Sequence, residues 1–177
     1  MKPEIIFQMQ LVLGYVAWLI VFDMYVRPWL RAMDWLSAQR AIAAVHSFRF
    51  LGLVFILPGV VGALPAGFAR FAAYGDFAAG VLAIIALLTV RIRPLFTVFV
   101  VAFNVVGAAD ILIDYYHAIA AGLPAVAGQL AAAYWIPILY VPVLMITHVI
   151  ALYLLLRTQR GSAATLAAVA TQPARAL

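Results

Sequence analysis

The sequence predicts an all-α integral membrane protein built as a single bundle of five transmembrane helices. Its 177 residues are 68% hydrophobic and only 10% charged, whereas soluble domains average about 25% charged residues. The mean hydropathy is +1.13, and the apolar residues form five runs, each near the roughly 20 residues needed to cross a 30 Å hydrocarbon core. Helix is the expected state of these runs, because lipid offers no partner to an unpaired backbone group.

The predicted bundle occupies residues 1–160 as one domain, since a chain of this length with short connections has no room for a separate soluble domain. Its transmembrane helices are expected at about 5–22, 41–61, 76–90, 94–117 and 134–156. Pro28 suits a helix start, and apolar residues follow it at helical spacing, which predicts an amphipathic interfacial helix over 28–40. The Ala- and Thr-rich residues 161–177 predict a disordered cytoplasmic tail.

The distribution of basic residues predicts the orientation of the bundle. On one side the predicted topology places only Lys2 and Arg70. The other side holds Arg27, Arg31, Arg40, Arg91, Arg93, Arg157, Arg160 and Arg175. The positive-inside rule then places the N-terminus outside and the C-terminus in the cytoplasm. We expect such a protein in the inner membrane of a bacterium-like cell.

Composition also excludes several classes of function. The net charge is +5, but the basic residues are scattered at helix ends, which membrane orientation explains better than phosphate binding. We therefore expect no nucleic-acid partner. The chain contains no cysteine, so disulfides, thiolate metal sites and cysteine nucleophiles are excluded together.

Four polar side chains are predicted to share one layer inside the bundle. The helical rise places Asn104 roughly 15 Å from Pro94, at the midplane, and puts His46, Arg49 and His148 at similar depth on the second and fifth helices. A charged side chain at the bilayer centre costs about 2.5–3.5 kcal/mol on insertion scales and normally faces the protein interior. We expect Arg49 either to form an ion pair, with Asp23 as a candidate partner, or to contact a ligand carboxylate.

This layer predicts binding of an apolar ligand or cofactor between helices 2, 4 and 5, with His46, Arg49, Asn104 and His148 as the binding residues. Haem, a quinone or a lipid-like molecule would suit these groups. Two histidines on different helices could ligate a haem iron from both sides, with Arg49 one turn from His46 near a propionate. A hydrogen bond between the polar side chains within the bundle is the alternative.

A second polar group lies towards the outer end of the fourth helix. Asp110, Asp114 and His117 are spaced i, i+4, i+7 and therefore lie on one stripe. Acid-x-x-His pairs occur in carboxylate metal sites of helix bundles, so these three residues predict a metal site, with Asp76 as a further candidate at the same level. The alternative is that a helix end reaches headgroup water and that Asp76 is an N-cap. That alternative fits Asp110 poorly, because Asp110 lies about 6 Å below the surface by the same rise.

One stretch resembles a known family. Ser47–Pro58 (SFRFLGLVFILP), with Phe22-Asp23 and the Tyr/Pro pattern of the fifth helix, is similar to the EXPERA-type small membrane proteins, the sterol isomerase and sigma-2 receptor relatives. The resemblance implies a helical bundle that binds sterol-like ligands through buried acidic residues. Where that family has an acid in its second helix this sequence has Gly52, and it has an additional helix at 76–90. We therefore assign no membership and carry over no site residue.

Three further functions stay open beside ligand binding. The chain could be an accessory or structural membrane subunit, a membrane enzyme with a metal site on the outer face, or a proton- or ion-translocating protein. Its expected partners are the lipid bilayer, an apolar small molecule, and further copies of itself or a larger membrane complex. The sequence leaves open whether the protein is an enzyme.

Overall fold

A computed structural model describes the backbone of residues 1–170 and the side chains of residues 1–157. The described part is all-helical, as predicted, and five of its helices are long and apolar enough to cross a membrane. These candidate spans are Pro3–Arg31, Trp35–Ile56, Ala66–Leu88, Arg93–Ala120 and Ile136–Arg157.

The first span consists of three helical pieces. Helix α1 (Pro3–Val21) passes through a π-helical turn, Phe22–Val26, into the short α2 (Arg27–Arg31). The amphipathic interfacial helix predicted over 28–40 is divided between α2 and a new helix that begins after Asp34. The Asp34 carboxylate accepts hydrogen bonds from Ser37 N (3.1 Å) and Ser37 Oγ (2.7 Å). These two hydrogen bonds lower the pKa of Asp34.

The second span changes its helical type midway. Helix α3 (Trp35–His46) continues as a 3₁₀ helix, Ser47–Ile56, which ends where Leu57 becomes extended before Pro58. A residue before proline is disfavoured in the α region, which accounts for this end. The 3₁₀ helix has three residues per turn, so buried residues recur at every third position along one edge of the helix. These are His46, Arg49, Gly52 and Phe55.

The third and fourth spans form a tightly packed hairpin. Helix α4 (Ala66–Leu88) begins ten residues before the predicted start at residue 76, following Pro65. Its buried positions are mainly Ala and Gly, so it approaches closely both the 3₁₀ helix and α5 (Arg93–Ala120). Small interfacial residues permit such close packing of helices. Helix α5 ends before Gly122, which has a left-handed φ of 67°.

The last part of the chain closes the bundle. A second 3₁₀ helix, Leu123–Ala133, and a π-helical turn, Ile136–Tyr140, precede α6 (Val141–Ala170). Helix α6 is assigned through Ala170, and residues 171–177 lie outside the described part, so the disordered tail over 161–177 stays a prediction.

Two apolar cores stack along the bundle and enclose a polar layer. The Phe7 core lies at the end where α1 begins and includes Phe7, Phe55, Phe68, Leu123, Leu130 and Ile136. The Phe96 core lies towards the other end and includes Ile42, Phe96, Val100, Phe103, Ala151 and Leu155. The buried polar side chains between them are His46, Arg49, Asp76, Asn104, Asp110, Thr147 and His148.

Candidate functional site

Arg49 is the centre of the polar layer and has no solvent exposure. Its Nε donates to Asp76 Oδ1 at 2.7 Å, and its Nη2 donates to Asp110 Oδ2 at 2.6 Å. Its Nη1 donates to the carbonyl oxygen of Gly107 at 3.1 Å. The guanidinium therefore joins the second span to α4 and α5, and it is paired with two carboxylates, so the buried cation is not left without a counter-ion.

The hydrogen bond between Arg49 and His148 fixes the tautomer of the histidine. Arg49 Nη1 lies 3.1 Å from His148 Nε2, and a guanidinium can only donate, so Nε2 accepts and the ring proton is on Nδ1. Nδ1 then donates to Asn104 Oδ1 at 2.9 Å. Asn104 Nδ2 in turn donates to the carbonyl oxygen of Val100 at 2.8 Å. Each hydrogen bond in this series is therefore donated in the same direction, from Arg49 through His148 and Asn104 to the backbone of α5.

His46 packs against His148 without a hydrogen bond between the two rings. The ring centroids are 4.0 Å apart, and His46 Nε2 lies 3.0 Å from Thr147 Oγ1. The Thr147 hydroxyl lies 2.7 Å from the carbonyl oxygen of Val143, to which it donates, so His46 Nε2 is the donor to Thr147. His46 Nδ1 is buried and has no hydrogen-bond partner among the described residues.

We call this group the Arg49 cluster, which consists of His46, Arg49, Asp76, Asn104, Asp110 and His148. All four predicted cofactor-binding side chains belong to it, but they contact one another. A haem does not fit between the histidines: metal–imidazole bonds are about 2 Å long, so the two ligating nitrogens alone would be about 4 Å apart. The ring centroids, which lie farther back than the nitrogens, are themselves only 4.0 Å apart.

The partner of Arg49 differs from the predicted one. Asp23 pairs with Arg27, one turn away on the same helical segment, while Arg49 pairs with Asp76 and Asp110. Asp76 was expected near the surface, because a helix was predicted to begin at that residue. Ten helical residues precede Asp76, and they carry it about 15 Å into the bundle.

Glycines give the Arg49 cluster the space that it needs. A methyl group at Gly52 would collide with the carboxylate of Asp76. At Gly107 it would lie 2.6 Å from His148 Nε2 and would also collide with Arg49 Nη1. The charged groups therefore approach the backbone of the second span and of α5 more closely than any other residue would permit.

The three predicted metal ligands are not brought together. Asp110 is bound by Arg49, and the His117 ring stacks on Phe71 with centroids 4.4 Å apart. Asp114 belongs to the wall of a cavity. Within the described residues, no group of three or more His, Asp or Glu side chains is arranged to hold a metal ion. The geometry therefore does not support a metal site at Asp110, Asp114 and His117.

The cavity of about 180 Å³ lies between the Phe7 core and the Arg49 cluster. Two carboxylic acids, Asp76 and Asp114, belong to a wall that is otherwise almost entirely apolar. We call it the Asp114 cavity. The larger apolar side chains around it are Phe7, Leu11, Phe55, Phe68, Ile111 and Tyr115.

Helices α1 and α5 both line the Asp114 cavity, and a gap separates them. Helix α1 packs on α6, on the 3₁₀ helix Leu123–Ala133 and on the π-helical turn Ile136–Tyr140. It packs less on α5. A hydrogen bond of 2.6 Å joins Tyr15 Oη to Tyr115 Oη across this gap. Two lining residues near the start of α1, Gln8 and Ile119, are exposed, and the exposed fraction of Ile119 is 75%.

Asp114 is the residue of the cavity wall that has a buried oxygen without a hydrogen-bond partner. Its Oδ1 is buried and lacks a hydrogen-bond partner among the described residues. Buried polar atoms are nearly always hydrogen-bonded, so such an exception calls for a physical explanation. Asp114 was predicted as a metal ligand or as a residue that reaches headgroup water, and not as part of a cavity. The aromatic walls were not predicted, because they come from segments far apart in the chain.

The comparisons with known proteins identify the family of the chain. The family model described as Domain of unknown function (DUF8737) matches residues 6–156, and the chain belongs to that family. The matched range contains the whole Arg49 cluster and all residues that line the Asp114 cavity. No curated protein and no solved structure matches the chain.

Proposed function

We propose that this member of the DUF8737 family binds a small, mainly apolar molecule in the Asp114 cavity, within the inner membrane of a bacterium-like cell. The observation that carries the proposal is an apolar cavity inside the bundle with an unpartnered carboxyl oxygen in its wall. The apolar spans support a location in the membrane, and the arginine distribution supports an orientation with the cavity towards the outer face.

The size of the cavity supports occupation by a ligand. An apolar cavity of about 150 Å³ in another protein stays dry and binds benzene, and this cavity measures about 180 Å³. A compact molecule with one ring or a short branched chain would fill a space of this size.

The charges around the cavity indicate the polar part of the ligand. Three carboxyl groups, those of Asp76, Asp110 and Asp114, lie near one guanidinium. A buried charge needs a partner of opposite sign, and Arg49 already binds the first two. We propose that the ligand carries an amine, which donates to Asp114 and supplies the missing positive charge.

In this proposal the Arg49 cluster positions the site and does not react. Arg49 holds Asp76 in place, and Asp76 belongs to the cavity wall. Proton translocation along the chain from Asp110 to Asn104 is disfavoured, because Arg49 stands in its middle and a guanidinium does not release its proton in proteins. The ligand would enter from the bilayer between α1 and α5, above the hydrogen bond of Tyr15 and Tyr115.

The experiment is mass spectrometry of small molecules that co-purify with the protein in a mild detergent. Ala118→Phe would fill the Asp114 cavity, since Ala118 lines it. Ala109→Phe is the matched control, because Ala109 lies on the same helix, is exposed and does not line the cavity. We expect one compound to co-purify with the wild type and with Ala109→Phe, and to be lost in Ala118→Phe.

Two results would overturn the proposal. If no compound co-purifies and the melting temperature of Ala118→Phe equals that of Ala109→Phe, the cavity holds nothing and an accessory or structural role is left. If Asp114→Asn retains the compound with unchanged affinity, the amine is wrong while the apolar cavity remains a binding site.

A further inference from the structure

Three arginines from two distant segments line a second cavity at the opposite end of the bundle. Arg27 and Arg31 are one turn apart on α2, and Arg157 lies on α6. The cavity measures about 340 Å³. It is therefore larger than the Asp114 cavity and has a different chemical character.

This second cavity has an excess of positive charge. Arg27 pairs with Asp23, whereas no acidic side chain in the described part of the chain lies within salt-bridge distance of Arg31 or Arg157. The whole chain has only six acidic residues, and nearby Asp34 accepts its hydrogen bonds from Ser37. Three arginines and one aspartate leave a net charge of +2, so the cavity favours an anion.

The rest of the wall is apolar or aromatic. It includes Phe22, Leu30, Met33, Ile150, Tyr153 and Leu154. Leu30 is buried and Tyr153 is 59% exposed, so the cavity extends from the packed interior to the outer surface of the bundle. An anion that also has long apolar chains satisfies both parts of this wall, whereas a free inorganic anion satisfies only the arginines.

We propose that this Arg31 cavity binds one phospholipid with an anionic headgroup. Arg31 and Arg157 bind the phosphate, since guanidinium groups form paired hydrogen bonds with phosphate oxygens. The acyl chains lie along Phe22, Ile150 and Tyr153. The arginine distribution predicts that this end faces the cytoplasm, where basic pockets between transmembrane helices bind anionic headgroups.

The test measures lipid binding to the detergent-purified protein by native mass spectrometry, with phosphatidylglycerol or phosphatidylcholine added. The variant is Arg31→Gln with Arg157→Gln. The matched control is Arg91→Gln with Arg93→Gln: these two arginines lie on the same predicted side but line neither cavity. Arg31→Lys with Arg157→Lys keeps the charge and tests the paired geometry. Inorganic phosphate is added separately as a competitor.

We expect phosphatidylglycerol to bind about tenfold more tightly than phosphatidylcholine, a preference that the glutamine pair removes and the control pair retains. The lysine pair should recover only part of it. Equal binding of both lipids would show that the cavity does not recognise the net charge of the headgroup, and it would overturn the proposal. An equal loss in the control pair would show general surface electrostatics and would also overturn it. Displacement by inorganic phosphate at concentrations comparable to those of the lipid would show a free-anion site and overturn it as well.

Discussion

Arg49 Nε donates to Asp76 Oδ1 at 2.7 Å across 27 positions of sequence, and both side chains are buried between two apolar cores. The carboxylate reaches the guanidinium only because Gly52 has no side chain in its path. The pair therefore fixes both the rotation and the depth of the second span against α4. Asp76 also lines the Asp114 cavity, so the same hydrogen bond couples packing to the proposed binding site.

Arg49→Leu should strongly destabilise the protein in detergent. The substitution leaves Asp76 and Asp110 buried without their counter-ion, and breaking a buried ion pair in this way costs about 3–5 kcal/mol. Replacing the carboxylates as well, by Asp76→Asn and Asp110→Asn, should restore at least half of the loss. Thermal denaturation followed by circular dichroism measures the difference. An Arg49→Leu variant as stable as the wild type would contradict the buried pairing.

Gly107→Ala should destabilise the bundle by about 1–3 kcal/mol, because overpacking a close contact forces neighbouring groups to shift. The added methyl group would lie 2.6 Å from His148 Nε2. Gly67→Ala is the control: a methyl group there meets nothing within 4 Å, and alanine favours a helix over glycine by about 1 kcal/mol. Opposite signs of the two shifts in melting temperature are expected. Equal shifts would contradict the close approach of His148 and Arg49 to the backbone at Gly107.

Hydropathy alone was enough to predict the all-helical fold and five helices long enough to cross a membrane, because twenty apolar residues leave few alternatives. Depth along a helix was also predictable from the rise per residue. It brought His46, Arg49, Asn104 and His148 into one layer, where the structure places them in contact. Rise gives no information on the direction of a side chain, so these residues were expected to hold a cofactor although they bind one another.

An ion pair of Arg49 was predicted, but its partners were wrong for a specific reason. The Ala-, Gly- and Pro-rich residues 62–75 are nearly uncharged and were taken as a connection, so the helix was predicted to begin at Asp76. One sequence signal would have helped to place Arg49. Every third residue from His46 onwards (Arg49, Gly52 and Phe55) lies on one edge of a 3₁₀ helix, because that helix has three residues per turn. The cavity could not be predicted from the sequence, because its walls come from all five spans and from the helix between the last two.

Asp34→Ala should loosen the start of α3, whereas Asp34→Asn should retain it, because an asparagine side chain also accepts a hydrogen bond from Ser37 N. The hydrogen bonds to Ser37 lower the pKa of Asp34. The stabilisation is therefore present above the unfolded-state pKa and is lost as the pH falls through the folded-state pKa. Hydrogen exchange of residues 35–38 measures it. If exchange in Asp34→Ala is as slow as in the wild type, the carboxylate does not act as a cap.

Asp114→Leu should stabilise the ligand-free protein and abolish the proposed binding. The substitution replaces a buried oxygen that has no hydrogen-bond partner among the described residues, and removing an unsatisfied polar group in this way recovers about 1–3 kcal/mol. The same substitution removes the acceptor for the ligand amine, so the co-purified compound should be lost. The melting temperature should rise relative to wild-type protein from which the compound has been removed, since a bound ligand would itself stabilise the wild type. Asp23→Leu is the control, since Asp23 lies outside the cavity and pairs with Arg27 at an exposed position. It should retain the compound and should not raise the melting temperature. A lower melting temperature for Asp114→Leu would show that the carboxyl group stabilises the fold by itself, and the proposed role of Asp114 in binding would then fail.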